Sequence, residues 1–159
     1  MSTPAARFDY FRHSADLYKK YMAFSMAFNM DKTLAVLIDI RASQLNGCAF
    51  CLDMHVKQAK LHGERELRLH HVAIWHESTL FTPKERAALA WTELLTCIRA
   101  EGISDAAYAE VGEHFSPEAL SELTWRIAAI NGWNRMNVAV RNVPGSMDKS
   151  FGLDKSGLA

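Results

Sequence analysis

Cys48 and Cys51 stand three residues apart, and His55 follows four residues after Cys51. On a helix the two cysteines lie about 60° apart on one face, with their Cα atoms about 5 Å apart, within reach of a disulfide. His55 falls on the same stripe. A thiolate is the attacking species in cysteine chemistry, and an unperturbed cysteine, with a pKa of about 8.5, is mostly protonated at neutral pH. A helix N-terminus stabilises the anion through its unpaired N–H groups. An imidazole one turn away accepts the thiol proton, and a second cysteine resolves a sulfenic acid into a disulfide. This pattern suits a redox-active dithiol that serves either peroxide reduction or general dithiol–disulfide exchange. Two other readings stay open. The pair could be inert core side chains. It could also, with His55, hold zinc or sense redox state without catalysis, although a structural zinc site prefers a fourth ligand and Cys97 is the one remaining cysteine.

Helices must position these groups. Eight glycines and four prolines punctuate the chain, and no stretch alternates apolar and polar residues as a strand would. The periodicity predicts helices over about 9–28, with Leu17, Tyr21, Phe24 and Phe28 on one face, and from Asp31 to Leu45. Asn46-Gly47 breaks the pattern, because glycine readily ends a helix in the left-handed conformation. Further helices follow over about 48–63 and 64–76. Thr82-Pro83-Lys84-Glu85 opens another with a capping box and a proline in its first turn, reaching about Ala100. A short helix is expected from Ser104 to His114, and a long one from Ser116 to before Pro144. The expected fold is all-α, a single helical domain over 1–143, followed by a flexible tail over 144–159 rich in Gly, Ser, Asp and Lys.

Composition narrows the partners. The chain has 159 residues, enough for one domain with a real core. Its 18 basic residues cancel its 18 acidic ones, so no electrostatic footprint for nucleic acid or an anionic membrane is present. No apolar run approaches the roughly 20 residues that cross a bilayer. The first ten residues lack the apolar stretch of a secretory signal. With a Cys-x-x-Cys in place of a disulfide framework, the expected location is the cytoplasm.

Arg41-Ala-Ser-Gln-Leu-Asn-Gly-Cys-Ala-Phe-Cys-Leu-Asp-Met-His55 resembles the signature of the carboxymuconolactone decarboxylase superfamily. The match is to its alkylhydroperoxidase AhpD-like branch, which carries Cys-x-x-Cys-x-x-x-His. Glu85-Arg-Ala-Ala-Leu-Ala-Trp-Thr-Glu93 and Ile127-Ala-Ala-Ile-Asn-Gly-Trp-Asn-Arg135 resemble further helices of that branch. The similarity runs from about Phe8 to Arg141. It implies an all-helical bundle and assembly into oligomers, often trimers or hexamers; no cofactor is expected. It also implies hydroperoxide reduction at Cys48 and Cys51 with His55, recharged by a dithiol donor or a redox partner protein. The decarboxylase branch proper generally lacks the paired cysteines, which argues against lactone decarboxylation here.

The chain departs from the branch at one place. A relay glutamate stands about twelve residues before the first cysteine in well-studied alkylhydroperoxidases, and Val36 occupies that position here. Glu93 is the candidate replacement, since it falls between Leu89, Ala90, Cys97 and Ala100 on the helical wheel, an apolar setting for a carboxylate. Cys97 itself is expected in the core. The spacing of His70, His71 and His76 is poor for joint chelation, although His71 could face the dithiol. Trp75, Trp91, Trp125 and Trp133 fall at core or interface positions. Tyr21 is a weaker candidate for the pocket lining. Asn131 and Asn134, inside an apolar helix, are expected to make structural hydrogen bonds, across an interface if the chain assembles.

Overall fold

A computed structural model describes residues 5–158, in which the regular elements are all helical. They are α1 (Tyr10–His13), α2 (Ala15–Ser25), α3 (Lys32–Leu45), α4 (Ala49–Leu61), α5 (Glu66–His71), α6 (Pro83–Thr96), α7 (Asp105–Gly112), α8 (Pro117–Val140) and α9 (Asp148–Phe151). Short 3₁₀ turns cover Val72–Ile74 and Leu153–Ser156. Among the described residues no helix is long and apolar enough to cross a membrane.

The bundle forms around α3. Residues 34–40 are all buried, as expected of a helix that is apolar nearly all round and enclosed by neighbours. Leu34 and Ile38 pack with Trp91 of α6 and Leu123 and Ile127 of α8. Val36, Leu37 and Ile40 pack with Ala59 of α4, Trp75 and Leu89. The capping residues act as the sequence suggests: Asp31 caps α3 through Leu34 N–H at 2.9 Å, and Thr82 and Glu85 form a reciprocal capping box.

Two segments differ from expectation. The single helix expected over 9–28 breaks at Ser14, whose φ of −135° leaves the helical region and separates α1 from α2. No residue of α2 is buried, and Leu17 is 69% exposed. The segment expected to be a flexible tail instead folds back onto α4. Lys57, buried on α4, pairs with Asp53 at 2.9 Å and Asp148 at 2.7 Å. Gly145 N–H also reaches Asp53, and Leu153 is buried. Burial alone would lower the Lys57 pKa, but the two carboxylates raise it overall. A polar composition was a poor guide here, because one buried cation and one leucine suffice to dock the segment.

Candidate functional site

Cys48 is held by two helices at once. Gly47, at φ 63°, lets α3 end in a Schellman motif: Gly47 N–H bonds Gln44 O at 3.2 Å and Cys48 N–H bonds Ser43 O at 3.0 Å. Cys48 is then also the N-cap of α4, its Sγ accepting Cys51 N–H at 3.2 Å. Helix α8 pins this corner. Asn46 Nδ2 donates to Asn131 Oδ1 and to Asn134 Oδ1, both at 2.9 Å, and Asn134 Nδ2 donates to Ser43 Oγ at 3.0 Å. The two asparagines thus bond within the chain.

Cys48 and Cys51 are joined as a disulfide with Cα atoms 5.4 Å apart, and both are buried. Asn137, one turn beyond Asn134, donates its amide to Cys51 Sγ at 3.5 Å. The orientation of that amide is set by Tyr10 Oη and Asn142 Nδ2, which both donate to Asn137 Oδ1. The Tyr10 hydroxyl keeps its proton, its pKa pushed up to about 12 chiefly by burial. Asn137 was missed in the sequence, although its three-residue spacing from Asn134 continues the asparagine row.

His55, one turn after Cys51, is buried with its Nδ1 2.7 Å from Gln58 Oε1 and 3.5 Å from Asp39 Oδ2. Gln58 Oε1 within hydrogen-bond distance of Nδ1, with the Asp39 carboxylate beside it, suits the tautomer protonated at Nδ1, in which the Nε2 lone pair is free to act as a base. Asp39 is 1% exposed. Arg126 grips both its oxygens, Nε donating to Oδ1 at 3.1 Å and Nη2 to Oδ2. Burial lowers the Arg126 pKa, but the adjacent Asp39 carboxylate raises it overall.

The structure does not bring Glu93 to this site. Its carboxylate binds Arg41 Nε at 2.8 Å and Trp75 Nε1 at 2.7 Å, with His76 Nε2 at 3.7 Å. Arg41 lies about 200° around α3 from Asp39, so Glu93 braces the opposite face. The carboxylate beside His55 is Asp39, one turn along α3 from Val36. An aspartate inside the apolar run Leu34–Ile40 was the available signal. Cys97 is exposed rather than in the core. His71 bonds Ser78 Oγ at 3.0 Å instead of facing the dithiol. Among the described residues, no three His, Cys, Asp or Glu side chains converge as a metal site requires.

A cavity of about 390 Å³ opens beside His55, Asp39, Gln58 and Arg126, with aromatic walls that include Tyr10, Tyr18, Phe50 and Trp133. Helix α2 forms one wall through Tyr18, while Tyr21 lies outside the lining. The wall is tied to α8 by Tyr21 Oη to Ala129 O and Trp133 Nε1 to Ser25 Oγ, both at 2.8 Å. Gly132 makes this approach possible, since a Cβ there would sit 2.0 Å from Tyr21 Oη. Gly132→Ala should therefore displace Tyr21 and cost about 1–3 kcal/mol of stability, read from urea unfolding. An unchanged midpoint would show that α2 is not anchored by this contact.

Residues 15–94 match the model of the carboxymuconolactone decarboxylase family. The chain belongs to that family. YdfG of Bacillus subtilis (strain 168), an uncharacterized protein, is 40% identical over 114 residues, covering 72% of this chain and 78% of YdfG. A solved structure from Agrobacterium tumefaciens, of a protein of unknown function proposed to be the antioxidant defence protein AhpD, superposes with a TM-score of 0.83 at 37% identity. It covers 87% of this chain and 97% of its own. The debrominase Bmp8 shares the fold, with a TM-score of 0.73 at 21% identity over 91% of this chain and 78% of Bmp8. This member of the carboxymuconolactone decarboxylase family thus has an AhpD-like fold.

Proposed function

We propose that the protein is a thiol-dependent peroxidase that reduces organic hydroperoxides through the Cys48–Cys51 dithiol. The observation that carries this reading is the buried disulfide one helical turn from a His55–Asp39 pair, beside a cavity that can admit a small apolar molecule. In the reduced protein His55 Nε2 takes the Cys51 proton. The Cys51 thiolate attacks the terminal peroxide oxygen, the O–O bond breaks, and the alkoxide leaves as the alcohol with the proton from His55. Cys48 then attacks the sulfenic sulfur, releasing water and closing the disulfide. Two thiols and one hydroperoxide give one disulfide, one alcohol and one water.

A dithiol reductant or redox partner protein would restore the thiols. The protein would act as a homo-oligomer, a trimer or hexamer, in which exposed Trp125 offers apolar surface for assembly to cover. The test is peroxide consumption with excess dithiothreitol. Wild-type protein should turn over cumene hydroperoxide, and the Cys48→Ser/Cys51→Ser double variant should show only the uncatalysed rate. Equal rates would sink the reading.

A further inference from the structure

A second cavity, of about 460 Å³, is lined by Cys48 but not by His55. Phe50 and Asn137 line both cavities and so form the partition between them. The two cavities therefore flank the dithiol differently: the first ends at His55 and the aromatic walls, without either cysteine in its lining, and the second ends at Cys48. Their electrostatics differ. On the first side the Arg126 charge is taken up by Asp39. On the second side the lining holds Arg7 and Arg141 and no acidic side chain. Among the described residues neither guanidinium is paired with a carboxylate. Arg7 is held over the end of α8 by its backbone N–H to Val140 O and by Nη1 to Ala139 O. Arg141 caps α8 in a left-handed conformation, φ 61°.

We propose that this second cavity is where the reductant enters, and that its two arginines select small thiols bearing carboxylates. The inference rests on the redox reading of the dithiol and specifies its electron donor. A donor thiolate attacks Cys48 Sγ, and the S–S bond breaks with its electron pair on Cys51 Sγ, where the Asn137 amide receives the charge. The Cys51 thiolate takes a proton through His55. A second donor thiolate displaces Cys48 from the mixed disulfide. Cys48 leaves as a thiolate capped by Cys51 N–H and is then protonated. Two donor thiols become one donor disulfide, and the protein gains two electrons and two protons.

The test measures reduction of the oxidised protein, without peroxide, by 3-mercaptopropionamide, 3-mercaptopropionate and mercaptosuccinate. Rates are expressed per thiolate, and new protein thiols are counted by alkylation. An exposed ion pair contributes roughly 0.6 kcal/mol, about threefold, so each carboxylate should speed reduction about threefold at low salt. The ranking should collapse in 0.5 M salt, roughly where screening acts within a few ångströms, and in the Arg7→Gln/Arg141→Gln variant. Equal rates for the three thiols in the wild type, or a ranking that survives both salt and the variant, would overturn the inference. A flat ranking removes this inference alone, and an absence of peroxide consumption removes the peroxidase reading alone.

Discussion

Asp39→Asn is expected to slow peroxide-driven oxidation of the reduced dithiol about 100-fold, the lower range for loss of a positioned proton-transfer system. In the proposed mechanism Asp39 touches no reacting atom and would act by fixing the tautomer of His55. With asparagine in its place the neighbour of Nδ1 can present either an oxygen or an amide, and the amide form turns the His55 lone pair away from Cys51. The substitution also leaves the Arg126 charge, whose side chain is 21% exposed, without its counter-ion. That should cost a few kcal/mol, less than the roughly 3–5 expected for a fully buried pair. Rapid-mixing measurements at a temperature where the variant is folded by circular dichroism separate the two effects. Glu93→Gln is the control. It weakens the bonds to Arg41 and Trp75 and should leave the oxidation rate within about threefold, the size of one exposed charge effect. Equal losses in the two variants would remove Asp39 from the proton path.

The second large effect concerns which sulfur attacks. Cys51 is the i+4 partner of His55 and receives the Asn137 amide at 3.5 Å, so both the base and a donor for the developing anion converge on it. Among the described residues the Cys48 sulfur receives the Cys51 N–H alone, and Cys48 lines the other cavity. Stoichiometric peroxide should therefore give a trappable sulfenic acid at Cys51 in Cys48→Ser, and Cys51→Ser should react at least about 1000-fold more slowly, as expected when the nucleophile of an activated set is removed. Dimedone labelling followed by mass spectrometry distinguishes the sites. Labelling at Cys48 in Cys51→Ser, with none at Cys51 in Cys48→Ser, would reverse the assignment.

Much of the bundle was legible because helix signals are local. Asp31, Thr82 with Glu85, and Ser116 with Pro117 mark starts that the backbone obeys. The dithiol was equally plain, since each of its three residues lies about one turn from the next and neighbouring residues carry the family resemblance. The proposed proton path was not. Asp39 and Arg126 are 87 residues apart, and nothing local says which carboxylate meets which helix. Glu93 drew attention through its apolar neighbours on the wheel, yet those neighbours coexist with two donors from elsewhere in the chain, Arg41 and Trp75, and with His76 nearby. Burial marked Glu93 as having partners without saying who they were. The C-terminal segment misled for a related reason: composition reports an average, and Lys57 with Asp148 is one contact.

The position of Cys48 affects how serine variants should be compared. A serine is among the preferred residues at a helix N-cap, so Cys48→Ser keeps a side-chain acceptor for Cys51 N–H and preserves the start of α4. Cys51→Ser places a more strongly polar hydroxyl in a slot that is 0% exposed, with the Asn137 amide as its neighbour. The two variants remove one sulfur each but begin from unequal native states. Their melting temperatures should be matched before any difference in reactivity is assigned to chemistry.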